Sequence, residues 1–344
     1  KTDVLDCQWL QQLHTFGLLR GAFRPTLDIA VLRSYWRQRA AHVQAAARQI
    51  QLMQKAMEQM NLQLHKVLTD ITGVTGMKII RAILAGERDP LELAKHRYHG
   101  VKCNEETVAK ALIGNYREEH LFGLQQAVEL YDIYQAKLVE CDDMIEAQLS
   151  RFESKVTQKR KKKAKRRKNN PAFDLAGEMY RMTGVDLTTI DGIDALTAFT
   201  VITEVGIDMS KFKTGKHFAS YLCLCPNNRI TGGKIHRSRN RKTRNRATTA
   251  LRVAAQTVQR GQTALGAFFR RLKGRHGAPK ATTATARKLA LNIYRMLKYG
   301  EDYVDAGLDY YEQQYQERLL GSMKRRANKM GYTLVPVENE GGVS

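Results

Sequence analysis

Apolar residues recur through residues 36–71 at alternating steps of three and four. The series is Trp36, Val43, Ala46, Ile50, Met53, Met57, Met60, Leu64, Val67 and Ile71, broken only by Arg39. A seam sustained over about five heptads predicts a long helix with a coiled-coil face, with Met53, Met57 and Met60 as seam packing. A second run repeats the logic through Leu121, Leu124, Val128, Tyr131, Leu138, Ile145, Leu149 and Phe152, with Gln135 and Asp142 in seam positions. Between them Gly73, Gly76, Gly86, Pro90 and Gly100 punctuate short helices. The pattern predicts two long helices folding back antiparallel, with a small helical knob at the tip.

Further along, Gly192 precedes an apolar helix carrying Ile193, Leu196, Phe199, Val201, Ile202 and Val205, closed by Gly206 as a C′ residue. Residues 247–271 and 278–299 read as two more helices, the second with Pro279 in its first turn. Residues 310–330 read as helical and basic. Cys223 and Cys225 alternate as on a short strand and are expected to be buried packing thiols, since no second Cys/His pair stands at zinc spacing. Only six prolines interrupt the 344 residues, so the predicted fold is mainly α.

Length suggests two or three domains. Charge narrows the function: 57 Lys+Arg against 34 Asp+Glu gives +23. That excess argues against a small-metabolite enzyme and for a polyanionic partner, nucleic acid ahead of an anionic membrane. No stretch approaches the roughly eighteen apolar residues of a membrane span. The opening residues lack a secretory leader, and five cysteines without a C-x-x-C fit a reducing compartment. The chain begins at Lys1 and not at Met, and reads as lacking an N-terminal part.

The positive charge is concentrated. Residues 159–168 read KRKKKAKRRK, with Lys159, Arg160, Lys161, Lys162, Lys163, Lys165, Arg166, Arg167 and Lys168, before Asn169, Asn170 and Pro171 stop any helix. Such a block is a solvated linker, and it also suits phosphate contact. Residues 229–246 carry eight cations and no acid: Arg229, Lys234, Arg237, Arg239, Arg241, Lys242, Arg244 and Arg246. Inside that run Thr231 precedes Gly232 and Gly233, a pair through which backbone N–H groups approach a phosphate. A hydroxyl held there suits attack on a phosphodiester once activated; the plainer alternative is a basic turn that only grips backbone. Asp3 and Asp6, at i and i+3 of an amphipathic helix, share one face and could share a divalent metal; equally, acids in a first turn favour the helix dipole. Walker-type and Rossmann glycine patterns are absent, and the histidines form no metal spacing.

Taken in order, these pieces resemble the transposases of insertion sequence family one hundred ten, related to the Piv invertases and known as bridge-RNA-guided recombinases. KTDVLDCQWL resembles the end of the family's RuvC-like DEDD domain, where Asp3 and Asp6 match its last two acids. DGIDALTAFTVITEVG and YLCLCP resemble the opening of its C-terminal transposase domain, GGK with RKTRNRATTALR the segment after its nucleophile, and GAPKATTATARKLALNIYRMLKYG its closing helices. The resemblance implies the C-terminal remnant of a RuvC-like α/β domain (1–33), a long antiparallel coiled-coil hairpin for dimerisation (34–155), a basic linker (156–172), a mostly helical transposase domain (173–305) and a basic helical tail (306–344). It implies a DNA transposase that cleaves and rejoins strands, with Mg²⁺ on Asp3, Asp6 and acids upstream, and with the nucleophile at Thr231 where the family has serine. Ser238 is the lesser substitute. DNA, a structured guide RNA and further copies of the chain, as dimer or tetramer, are the implied partners, in a bacterial cytoplasm at the nucleoid and with no membrane role. The rival expectation is a decayed copy acting only as a dimeric DNA/RNA-binding protein.

Overall fold

The computed structural model describes residues 2–19, 23–158, 160, 168–305 and 307–335. The chain is mainly α, as its periodicity predicts. It divides into two compact units, residues 31–153 with 163–178, and residues 1–30 with 154–162 and 179–344.

The first of these is built on two long helices. Helix α2 (Leu27–Gln59) follows the short α1 (Asp3–Thr15), and α7 (Glu118–Leu149) returns along it. Their antiparallel course is fixed at both ends. Arg39 meets Asp142 at one end, and Asn115 N–H donates to the Met60 carbonyl at 3.1 Å at the other. The apolar seam is buried at Leu32, Trp36, Ala46, Met53, Met57 and Met60, the last four in one core cluster with Leu124, Val128 and Tyr131 of α7. Val43 and Ile50 are only half-buried. They line a cavity of about 310 Å³ between the helices, shared with Tyr131, Leu138 and Asp142.

The two seam-breakers explain each other. Arg39 and Asp142 are both about 95% buried, and their side chains form a bonded ion pair. Arg39 Nη1 also donates to the Asn169 carbonyl at 3.1 Å, and Asp142 Oδ2 accepts from Ala172 N–H at 3.2 Å. Residues 168–172 are thereby fastened over the groove. Gln135, by contrast, faces solvent.

One expectation fails here. The seam does not run to Ile71 on a single helix. Asn61 N–H bonds to the Glu58 carbonyl and Leu62 N–H to that of Met57, while Asn61 sits at φ 62°. That is a Schellman termination with asparagine in the left-handed position, which this side chain tolerates. The apolar spacing survives because Leu62, Leu64, Leu68 and Ile71 stay buried in a knob made by α3 (Leu64–Val67), α4 (Val74–Leu84), α5 (Pro90–Ala94) and α6 (Glu105–Lys110).

Helix α8 (Leu175–Thr183) passes from the first unit into the second, which continues with α9 (Ala195–Val205), α10 (Gly215–Tyr221), α11 (Arg246–Thr257), α12 (Ala264–His276), α13 (Ala278–Tyr299) and α14 (Leu308–Lys329). Helix α13 packs against α10, α11 and α12, and α9 packs against α11. Phe199, Phe218, Leu251, Phe269, Leu289 and Ile293 fill the core. Gly192 has φ 80°, and a Cβ there would lie 2.5 Å from Val258 Cγ1, so glycine lets the α9 entry touch the end of α11. Asp194 caps α9, and Gly206 closes it as expected. The single helix expected over 247–271 is two, separated by a short 3-10 turn (Val258–Arg260) and restarted by Thr263, whose hydroxyl caps Gly266 N–H at 3.2 Å. Nor do the cysteines stand on a strand: Cys223 sits at φ 53° in a turn, and both thiols are half-buried.

Asp191 supplies a pH test of this core. Burial, with the charge of Asp305, holds its carboxyl above the ordinary 3.8, although Thr263 and Tyr303 hydrogen-bond to it. The folded state therefore holds a proton more tightly than the unfolded chain, and stability falls as pH rises through and above the unfolded value. Asp191→Asn removes that fall. Its Tm relative to wild type, measured from about pH 3 to about pH 7, is expected to rise with pH. A flat difference contradicts the assignment.

Candidate functional site

Residues 226–240 form a two-stranded antiparallel ribbon, β1 (Pro226–Thr231) and β2 (Lys234–Asn240). Gly232 and Gly233, at φ 55° and 73°, make its two-residue turn. Positive φ at both central residues is the type I′ geometry, whose twist matches that of the strands. Every residue of β1 is exposed. A lone two-stranded ribbon is marginally stable in water, so this one relies on its anchoring ends, where Asn240 Nδ2 donates to the Cys223 carbonyl at 3.3 Å.

Register sorts the ribbon into two faces. Thr231 pairs with Lys234, Arg229 with Arg237 and Asn227 with Arg239. Ile230 pairs with Ile235, Asn228 with Ser238 and Pro226 with Asn240. Side chains alternate along a strand, so Thr231, Arg229, Lys234 and Arg239 share one face while Ser238 lies on the other with the isoleucines. His236 is the extra residue of a bulge that keeps the faces in step across the register shift. Exposed cations therefore share the face that carries the hydroxyl.

The ribbon continues into Arg241, Lys242 and Arg244, which are exposed, and Arg246 opens α11. The other basic block divides differently. Arg160 is turned inward: Nε donates to Asp186 Oδ2 at 2.7 Å and Nη2 to Thr188 Oγ1 at 2.6 Å, with the side chain 8% exposed. Lys168 Nζ bonds to the Asp70 carboxylate and the Thr72 hydroxyl. Both described cations of that block have acidic partners within the chain. Lys159, Lys161, Lys162, Lys163, Lys165, Arg166 and Arg167 lie outside the described residues.

Asp3 and Asp6 occupy the first turn of α1, whose N-cap is the Thr2 side chain. No residue of α1 is buried. Among the described residues no group of three or more His, Cys, Asp or Glu stands close enough to hold a metal. Mg²⁺ is commonly held by one or two carboxylates, with waters and substrate phosphate completing its shell, so the pair fits a metal shared with DNA and does not enclose one alone.

The sequence marked 229–246 as a basic run around Thr231 and a glycine pair, with a basic turn as the plainer alternative, and the ribbon itself was missed. Its signal was present in the Gly-Gly pair between Ile230 and Ile235, which is a hairpin pattern. Arg252, which lines a cleft with Arg241, Lys242 and Arg244, was missed as well. Compared with known families, residues 186–270 match the family described as Transposase IS116/IS110/IS902. That segment spans α9, α10, the ribbon, α11 and much of α12. No curated protein matches the chain.

Proposed function

We propose that the chain, whose residues 186–270 match the transposase family IS116/IS110/IS902, cleaves and rejoins DNA with Thr231 as the attacking hydroxyl and the basic ribbon face as the DNA grip. The observation that carries this reading is the ribbon itself: an exposed hairpin with the hydroxyl and cations on one face, anchored to a helical core. Asp3 and Asp6 would hold Mg²⁺, which would supply charge stabilisation at phosphorus when bound. A structured guide RNA reads sequence by base pairing, which suits a protein that grips backbone. The protein works on DNA at the nucleoid. Equilibrium binding to duplex DNA tests the grip. The logarithm of affinity should fall linearly with that of salt, with slope about −0.9 per phosphate neutralised. Replacing Arg229, Lys234 and Arg239 by Gln should make that slope shallower by about three contacts. An unchanged slope contradicts the reading.

Further copies of the chain complete the assembly. The α2 seam is already covered by α7, so the proposed dimer face is the outer side of α7. There Phe122, Ile133 and Met144 recur at one helical position and are 65%, 53% and 48% exposed. About a two-fold axis at Ile133 in an antiparallel pair, Phe122 faces Met144 and Glu129 faces Lys137 of the second copy. Ile133→Glu should give a monomer by sedimentation at a concentration where wild type is larger. A wild-type monomer at tens of micromolar contradicts it.

A further inference from the structure

We infer that the cleft beside the ribbon is a site for one backbone phosphate, with Arg252 as its floor. The inference rests on the nucleic-acid reading above and adds to it a residue and a ligand group. The cleft has a volume of about 560 Å³ and is lined by Asn240, Arg241, Lys242, Thr243, Arg244 and Arg252. Four of the six are cations and none is an acid. Arg252 projects from the second turn of α11, in the body of the helical core, while the other five are the last residue of β2, Asn240, and four residues of the segment that joins it to α11.

That segment is held at both ends. Asn240 Nδ2 donates to the Cys223 carbonyl at 3.3 Å, and Arg241 Nη2 reaches the Ser220 carbonyl and hydroxyl at 3.4 Å. At the other end Asn245 N–H donates to Thr243 Oγ1 at 3.1 Å, and the Asn245 side chain caps α11 by accepting from Ala247 N–H at 2.8 Å. Lys242 and Arg244 are thus carried on a strap fixed over Arg252.

Arg252 is half-buried, and its Nε is fully buried with no hydrogen-bond partner among the described residues. An arginine cannot shed its charge, and a buried N–H of a cation without an acceptor is costly. Four positive groups around one cleft add mutual repulsion. A single anion in the cleft answers the repulsion and offsets the charge held on the half-buried guanidinium: phosphate oxygens accept from the Arg252 nitrogens that reach the cleft, and the strap cations neutralise the remaining charge. Since the strap continues from the Thr231 strand pair, a phosphate seated here belongs to the nucleic acid that lies on the ribbon. Its source is an internal linkage of the strand; a terminal phosphate has the same chemistry.

The test uses the full chain and DNA duplexes in which one linkage at a time is made neutral as methylphosphonate, at fixed salt. Wild type should lose about tenfold in affinity at one linkage and little at its neighbours. Arg252→Gln and, on the exposed strap, Arg244→Gln should each bind more weakly and erase that local loss, with Arg252→Gln lowering the salt slope by about one contact. Adding a 5′ phosphate to the strand should leave wild-type affinity unchanged; a gain confined to phosphorylated ends assigns the cleft to a terminus and overturns the internal linkage. A wild-type profile with no preferred linkage, or an Arg252→Gln profile identical to it in a folded variant, overturns the site while leaving the DNA grip intact. A chain that binds none of the duplexes overturns the nucleic-acid reading itself.

Discussion

Thr231→Ala should abolish the covalent protein–DNA species, and Thr231→Ser should retain or increase it. Thr231 ends β1 beside the glycine turn, exposed and on the cationic face. Its hydroxyl is the proposed nucleophile, and alanine leaves no oxygen to attack phosphorus. Removing a nucleophilic hydroxyl in a well-studied hydrolase costs on the order of 10⁶-fold in turnover. Serine keeps the oxygen and removes a β-methyl that stiffens χ1 and crowds an in-line approach. Binding should stay within about twofold, because none of the ribbon cations is altered. Asp3→Ala and Asp6→Ala should lose the species as well, through Mg²⁺. The readout is a denaturant-resistant band on labelled DNA. A band that persists in Thr231→Ala contradicts the assignment. Register makes Ser238 a poor substitute, since it stands on the isoleucine face, opposite Asn228.

Asp142→Ala should destabilise the two-helix unit more than any single exchange on the ribbon. The Arg39 and Asp142 side chains are 6% and 7% exposed, and the carboxylate also accepts from Ala172 N–H. Removing it strands a guanidinium that cannot deprotonate, which typically costs about 3–5 kcal/mol. Calorimetry should show Tm lower by roughly 10 °C. Replacing both partners by apolar residues of similar size, as Arg39→Met with Asp142→Leu, should recover most of that loss, because the penalty belongs to the uncompensated charge. The double variant also unfastens residues 168–172, so their protease sensitivity should rise while Tm is regained. If Asp142→Ala melts as wild type does, the pair does not hold the helices.

Much of the helical part was legible because its signals are local. The three-four spacing on α2, Pro279 at the start of α13 and Gly206 after α9 each act within one or two turns of the chain. What escaped depended on partners distant in sequence. Arg39 and Asp142 looked like two separate faults in two seams, and only the fold shows that each answers the other. Asn61 interrupts the heptads without disturbing their apolar spacing, so periodicity alone carried the first helix too far. The break at 258–263 was missed for a related reason: Gly261 and Thr263 sit inside an otherwise helical composition.

The candidate site was half legible. Charge and the glycine pair marked the segment, while its division into faces is a property of register, which no count of cations contains. Arg160 shows the converse. It lies in the densest basic run of the chain, yet its guanidinium is used by Asp186 and Thr188. Density of charge located a region, and geometry decided which of its described members are available.

The central claim is that DNA lies on the ribbon face carrying Thr231. Photocrosslinking of the full chain to duplex DNA containing 5-iodouracil, followed by peptide mapping, tests it without requiring strand cleavage. The account predicts crosslinked nucleotides on peptides covering residues 226–246, reduced when Arg229, Lys234 and Arg239 are replaced by Gln. Crosslinks confined to residues 31–153, with none on the ribbon, would contradict it.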